Sequence, residues 1–189
     1  MDRVVRQILL EAGPTIMGTG LIGVLLGVAL ESIKTTLEAL PAMFLIVPVV
    51  MDLSGDVGSI IGSRLTTALG LGEVPRLLSR EFAKKMLAEF AAVYSATLVT
   101  FVGLGGVSTL AVAYLMGLRS LSYPTLAGLL GVTCLLTAPL VAVISISAGA
   151  VTYVRGLDPD NFTIPIEATL ADAAALLSLM AAVRIMGLI

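Results

Sequence analysis

The sequence predicts an all-α integral membrane protein with five transmembrane helices, and three observations predict it. Of its 189 residues, 58% are hydrophobic and only 13% are charged, where soluble domains carry about 25% charged residues. Residues 12–30, 90–118 and 120–154 each run without a charge, although about 20 apolar residues already suffice for a spanning helix. Two further apolar stretches, 40–71 and 165–187, contain acids yet resume their apolar pattern beyond them. Mean hydropathy is +1.06.

Taken in order, residues 1–13 read as an interfacial N-terminal helix, because Glu11 interrupts a short apolar core too early for a cleavable signal. Span one covers about 14–33: Pro14 suits a first helical position, and Gly18, Gly20, Gly23 and Gly27 give a closely packing face. Glu31, Lys34 and Glu38 mark a polar loop. Span two, 40–71, is expected to be broken, since Met51-Asp-Leu-Ser-Gly-Asp-Val-Gly-Ser puts two acids and two glycines in its middle. Span three, 81–117, bends at Gly103-Leu-Gly-Gly; a split at Gly105 would instead make six spans. Span four, 123–154, contains Pro139, and span five covers 165–187. Arg3, Arg6, Arg76, Arg80, Lys84 and Lys85 place the N-terminus and the loop after span two in the cytoplasm of a cell-membrane protein.

The same composition excludes several classes. No stretch is polar enough for a nucleotide-binding or nucleic-acid module, so the expected partners are the lipid bilayer and what crosses it. With no histidine in the chain, Ser-His and Cys-His catalysis and histidine zinc sites are absent, and a single cysteine, Cys134, excludes an intrachain disulfide and reads as a core residue. Any metal site must be built from oxygen.

An acid in hydrocarbon costs at least roughly 2.5–3.5 kcal/mol, so membrane acids face a cavity, a partner or an ion. Asp52 and Asp56, four apart, share a helix face that Ser59 and Ser63 extend. Two such acids repel unless a cation or water lies between them, and a hard divalent cation prefers carboxylate, carbonyl and water oxygens. Gly55 and Gly58 permit close approach of a backbone or a neighbouring helix. The competing reading is a helix end with two solvated acids. Asp172 lies two turns into span five among Thr169 and the small residues Ala171, Ala173, Ala174 and Ala175; its competing reading is a structural pair with Arg64 or Arg184. Asp158, Asp160 and Glu167 are placed at an entrance where their field concentrates cations, or are ordinary loop acids. Glu11 and Glu89 read as helix-end charges.

Two of these segments, Pro48-Val-Val-Met-Asp-Leu-Ser-Gly-Asp-Val-Gly-Ser-Ile-Ile-Gly-Ser-Arg-Leu-Thr-Thr and Arg155-Gly-Leu-Asp-Pro-Asp-Asn with Pro165, Thr169 and Asp172 beyond it, resemble the MgtE magnesium-channel domain. The spacing is most similar to the solute carrier family 41 branch, in which a Gly-Asn pair stands where this chain has Gly55-Asp56. The resemblance covers the chain from Pro14 onward, although the spans between the two motifs match in hydropathy alone. It implies a homodimer with the pore on the dimer axis, lined by the second and fifth spans. It also implies a pore aspartate at Asp172, by its distance from Asp158-Pro159. One membrane domain without a gating domain is expected.

Together these readings imply transport of a divalent cation, Mg²⁺ first, held largely hydrated between two Asp172 carboxylates. A channel and a sodium-coupled exchanger both remain open, with Asp52 and Asp56 binding either Na⁺ as coupling ion or a second magnesium. Two rival classes stand beside this: an intramembrane aspartyl protease using Asp56 and Asp172, and a membrane subunit that transports nothing by itself. Against the protease, Leu53 and Ala171 occupy positions where the Gly-x-Gly-Asp and Tyr-Asp motifs need glycine and tyrosine.

Overall fold

The structure is a computed structural model that describes residues 3–32, 34–39, 41, 43–72, 79–118 and 120–188. Asp2, Leu40 and Arg76, which entered the reading above, lie outside the described residues. The regular structure is helical: α1 (Arg3–Ser32), α2 (Lys34–Ala39), α3 (Met43–Gly70), α4 (Arg80–Thr100), a π-helical turn (Phe101–Gly105), α5 (Gly106–Leu115), α6 (Tyr123–Arg155) and α7 (Pro159–Ile185). Five stretches of the described residues are long and apolar enough to cross a membrane: Ile8–Glu31, Met43–Gly70, Arg80–Leu115, Tyr123–Arg155 and Pro159–Ile185. The protein is a multi-pass membrane protein.

Several element readings are corrected. Pro14 does not open a helix; it lies inside α1, which runs unbroken from Arg3, because a proline inside a membrane helix is tolerated where neighbours and local adjustment satisfy the freed carbonyl. The second span is not broken at Met51–Ser59, since α3 is continuous from Met43 to Gly70. In hydrocarbon an unmade backbone hydrogen bond costs several kcal/mol, more than the roughly 1 kcal/mol helix penalty of a glycine, so helix wins. Ser54, buried in it, satisfies its hydroxyl by donating to Val50 O at 2.7 Å. The polar loop at 34–39 is itself the short helix α2, anchored by Leu37, which is buried in the core. The last span begins at Pro159 rather than Pro165.

The α6–α7 connection shows why. Gly156 takes a left-handed conformation (φ 63°) that a residue with a Cβ adopts at a cost. With it, Gly156 N–H reaches Tyr153 O at 3.1 Å and Leu157 N–H reaches Thr152 O at 3.0 Å, a double closure of the α6 carbonyls. Asp158 then caps α7, its side chain accepting from Asp160 N–H at 2.9 Å, and Pro159 fits the first turn, where no N–H is needed. The turn is also tied to the N-terminal segment, because Asp158 N–H donates to the Glu11 carboxylate at 3.1 Å. Glu11 is therefore a link between α1 and the hairpin, not merely a helix-end charge.

The centre of the molecule is α3, α6 and α7 packed against one another, with α1 against α7. One apolar cluster, including Met43, Ile46, Val50, Phe101, Leu129, Leu130, Cys134, Leu176 and Leu179, fills the end of the bundle near the α3 N-terminus. A smaller one, Val57, Ile61, Val141, Ala171 and Ala174, continues it toward the other end. No residue of α4 is fully buried; the α4–π–α5 span lies at the edge and enters the core through Phe101, on the π turn.

Candidate ion path between α3 and α7

Because α3 and α7 are continuous, the depth of their acids follows from counting. Asp56 is the fourteenth of 28 residues in α3, and Asp172 is the fourteenth of 27 in α7. Both therefore stand at the middle of helices about 40 Å long, against a hydrocarbon core of about 30 Å. The helix-end reading of Asp52 and Asp56 is overturned.

The two helices run antiparallel along a seam of glycines. A Cβ on Gly55 would lie 3.8 Å from Asp172 Oδ1 and 3.9 Å from Ala168 Cα; one on Gly58 would meet Ser145 Oγ and Val141 Cγ1 at 3.4 Å and Ala171 Cβ at 3.7 Å. One on Gly62 would overlap the Glu167 carboxylate. Thus Gly55 faces Asp172, Gly58 faces Ala171 and Ser145, and Gly62 faces Glu167. Small residues permit this approach, and packing replaces the hydrophobic drive that lipid does not supply.

Asp172 is half-buried beside Gly55. Asp52 and Asp56 are exposed on α3. Among the described residues neither Arg64 nor Arg184 forms an ion pair with Asp172; Arg64 instead pairs with Glu89 of α4 at 3.3 Å. Arg64 is thus an anchor between α3 and α4, and Glu89 is its partner. Among the described residues no three metal-ligating acids, histidines or cysteines converge within the single chain.

Two of the hydroxyls expected along the lane commit their protons to their own helices. Ser63 donates to Ile60 O at 3.1 Å and Thr169 to Pro165 O at 3.0 Å, which leaves oxygen lone pairs uncommitted. Ser59 is half-buried and Ser63 exposed. Gly58, grouped with the lane, is buried against α6 and α7 and faces the interior of the subunit, because its missing side chain makes room for Ser145.

At the end of the molecule near the hairpin, a cleft of about 310 Å³ brings Ser63, Thr66 and Thr67 of α3 against Asp158, Asp160 and Thr163. Asp158 and Asp160 thus line one polar cleft. Glu167 does not belong to it. It is 0% exposed, enclosed between helices, and neither carboxylate oxygen has a hydrogen-bond partner. The reason is rotational: on α7 it points at the α3 seam, not along the helix toward the opening.

Sequence reasoning missed the interior hydroxyls. Ser145 donates to Gly58 O at 3.1 Å, and the Thr152 and Thr163 hydroxyls lie 2.6 Å apart, all of them buried. Their only signal was polar side chains inside apolar runs, which looks the same for a hydroxyl bonded to its own helix. Gly62 was likewise one glycine among nineteen.

Comparison with curated proteins and with solved structures finds no match. A family model described as MgtE, divalent cation transporter, matches residues 47–182, which take in all but the first turn of α3 and continue almost to the end of α7. That match covers well over half of the chain and both acid-bearing helices, and the chain belongs to the MgtE family of divalent cation transporters.

Proposed function

We propose that this protein moves Mg²⁺ across the cell membrane as a homodimer, with α3 and α7 of each subunit lining the path and the two Asp172 carboxylates holding the ion. The observation that carries the reading is the placing of Asp172 beside Gly55, at mid-helix, on the same outward region as the exposed Asp52 and Asp56. Acids exposed at mid-membrane depth are costly against lipid, and a second copy together with a cation offsets that cost. Magnesium keeps several of its waters, so two facing carboxylates with nearby hydroxyl and carbonyl oxygens suit it better than a closed cage. Asp52 and Asp56 add charge along the path and serve a second magnesium or a coupling Na⁺.

Arg6, Arg64, Arg80, Lys84, Lys85 and Arg155 gather toward the end that holds the α6–α7 hairpin, Glu11 and the start of α4. This supports a cytoplasmic N-terminus and a cytoplasmic Asp158/Asp160 opening.

The test is Mg²⁺ uptake into proteoliposomes by the wild type and by Asp172→Ala, with and without a sodium gradient. We expect uptake in the wild type and loss of at least tenfold in the variant; sodium dependence identifies an exchanger and its absence a channel. Equal uptake in the two proteins removes Asp172 from the path, and no uptake in either favours a subunit that needs a partner.

A further inference from the structure

Glu167 is a carboxylate without exposure and without a hydrogen-bond partner, seated where only a glycine, Gly62, leaves it room. The charged groups of the surrounding helices offer it no counterion. On α3, Asp56 and Arg64 are exposed, and Arg64 is engaged by Glu89 of α4. On α6 the only ionisable groups before Arg155 are Tyr123, Cys134 and Tyr153, while α7 itself supplies Asp160, Asp172 and, in its last turn, the exposed Arg184, and α1 supplies the exposed Arg6 and Glu11 at the hairpin. A bare carboxylate in such a place carries a penalty of several kcal/mol.

A metal ion does not answer this charge, since several oxygens must converge on it. Among the described residues no cluster of three ligating acids, histidines or cysteines exists, and the buried hydroxyl of Thr163, one turn before Glu167, is paired with that of Thr152. A proton is the one cation that a lone carboxylate holds. A way in is also present. The cleft that opens beside Asp158 and Asp160 reaches Thr163, four residues before Glu167 on α7, and Thr66, four residues beyond Gly62 on α3, so its lining comes within about 6 Å of helix rise of the Glu167 and Gly62 positions on both walls.

We propose that Glu167 is a proton-binding site, filled from the Asp158/Asp160 cleft past Thr163, and that its occupancy sets the α3–α7 seam. The proton adds to a carboxylate oxygen to give the neutral acid, and its release to the cleft restores the charge. With the proton bound, the glycine seam closes as seen; with it lost, the charge demands water and the seam loosens. Because Gly55 and Asp172 lie two turns along that seam, the proton acts on the helices that carry the ion path. This last step rests on the transport reading above; proton binding itself does not.

The experiment is infrared titration of the purified protein across pH, following the carbonyl band of protonated carboxyl groups. It is paired with Mg²⁺ uptake at a series of pH values, for the wild type, Glu167→Gln and Glu167→Leu. The leucine variant fills the same space without a polar atom, so that a folding effect of the amide is separable. We expect a titrating band present in the wild type and lost in both variants, and uptake that varies severalfold with pH in the wild type but not in either variant. A band that persists unchanged in both variants overturns the proton site. A lost band with pH-dependent uptake unchanged overturns its link to the path. A lost band with no uptake in any protein upholds the proton site while the transport reading fails.

Discussion

Single residues along the α3–α7 seam hold the most checkable consequences. Gly62→Ala forces a methyl group into the Glu167 carboxylate, and overpacking of this kind costs about 1–3 kcal/mol. The chain has one cysteine, Cys134, which is buried, so unfolding in detergent is readable as the temperature at which that thiol becomes reactive to a fluorogenic maleimide. Gly62→Ala is expected to lower it clearly, and most of the loss should disappear in Gly62→Ala/Glu167→Ala, since residues in contact couple. Ser145 is a milder case. Its hydroxyl links α6 to the Gly58 carbonyl at 3.1 Å, and such bonds in membranes average about 0.6 kcal/mol; Ser145→Ala should shift the same midpoint only slightly.

Among elements, the α6–α7 hairpin is the most sharply specified. Gly156→Ala puts a Cβ in the left-handed region, at a cost of about 1–2 kcal/mol, and Asp158→Ala removes the α7 cap for about 0.5–2 kcal/mol. Both are expected to lower the thiol-exposure midpoint, the aspartate variant also weakening the acidic opening. The α3 helix has a different tolerance. At Gly55 a methyl group would stand 3.8 Å from Asp172 Oδ1, an ordinary contact, so Gly55→Ala should fold and transport. Gly55→Leu should instead crowd Asp172 and cut Mg²⁺ uptake severalfold while leaving the midpoint near that of the alanine variant; equal uptake by the two would separate this glycine from the path.

For the molecule as a whole, if Asp172 holds the cation as proposed, the ion binds only the folded protein and therefore stabilises it by mass action, about 2.7 kcal/mol at a hundredfold excess over Kd. Added Mg²⁺ is expected to raise the thiol-exposure midpoint of the wild type and to leave Asp172→Ala unmoved. An equal rise in both proteins would place the bound ion elsewhere. If two copies face each other across the exposed acids, Asp52→Cys in a Cys134→Ala background should cross-link as a dimer under oxidation, whereas a cysteine on the exposed face of α1, such as Met17→Cys, should not.

What the sequence determined by itself was set by solvent. Hydrocarbon admits long apolar helices and little else, so composition and charge-free runs were enough for an all-α membrane protein of five spans, and two motifs were enough for its resemblance to the MgtE domain. The acids at Asp52, Asp56 and Asp172 were readable for the same reason: charge within an apolar run stands out. Tertiary structure decided what depends on the rotation and contact of helices. It made α3 continuous, because backbone hydrogen bonding in the membrane outweighs local helix propensity, and it moved the start of α7 to Pro159. It separated Asp160, which opens to a cleft, from Glu167, which does not, although they are only seven positions apart. Which glycine receives which side chain across the seam is a property of two helices together, and neither segment carries that pairing alone.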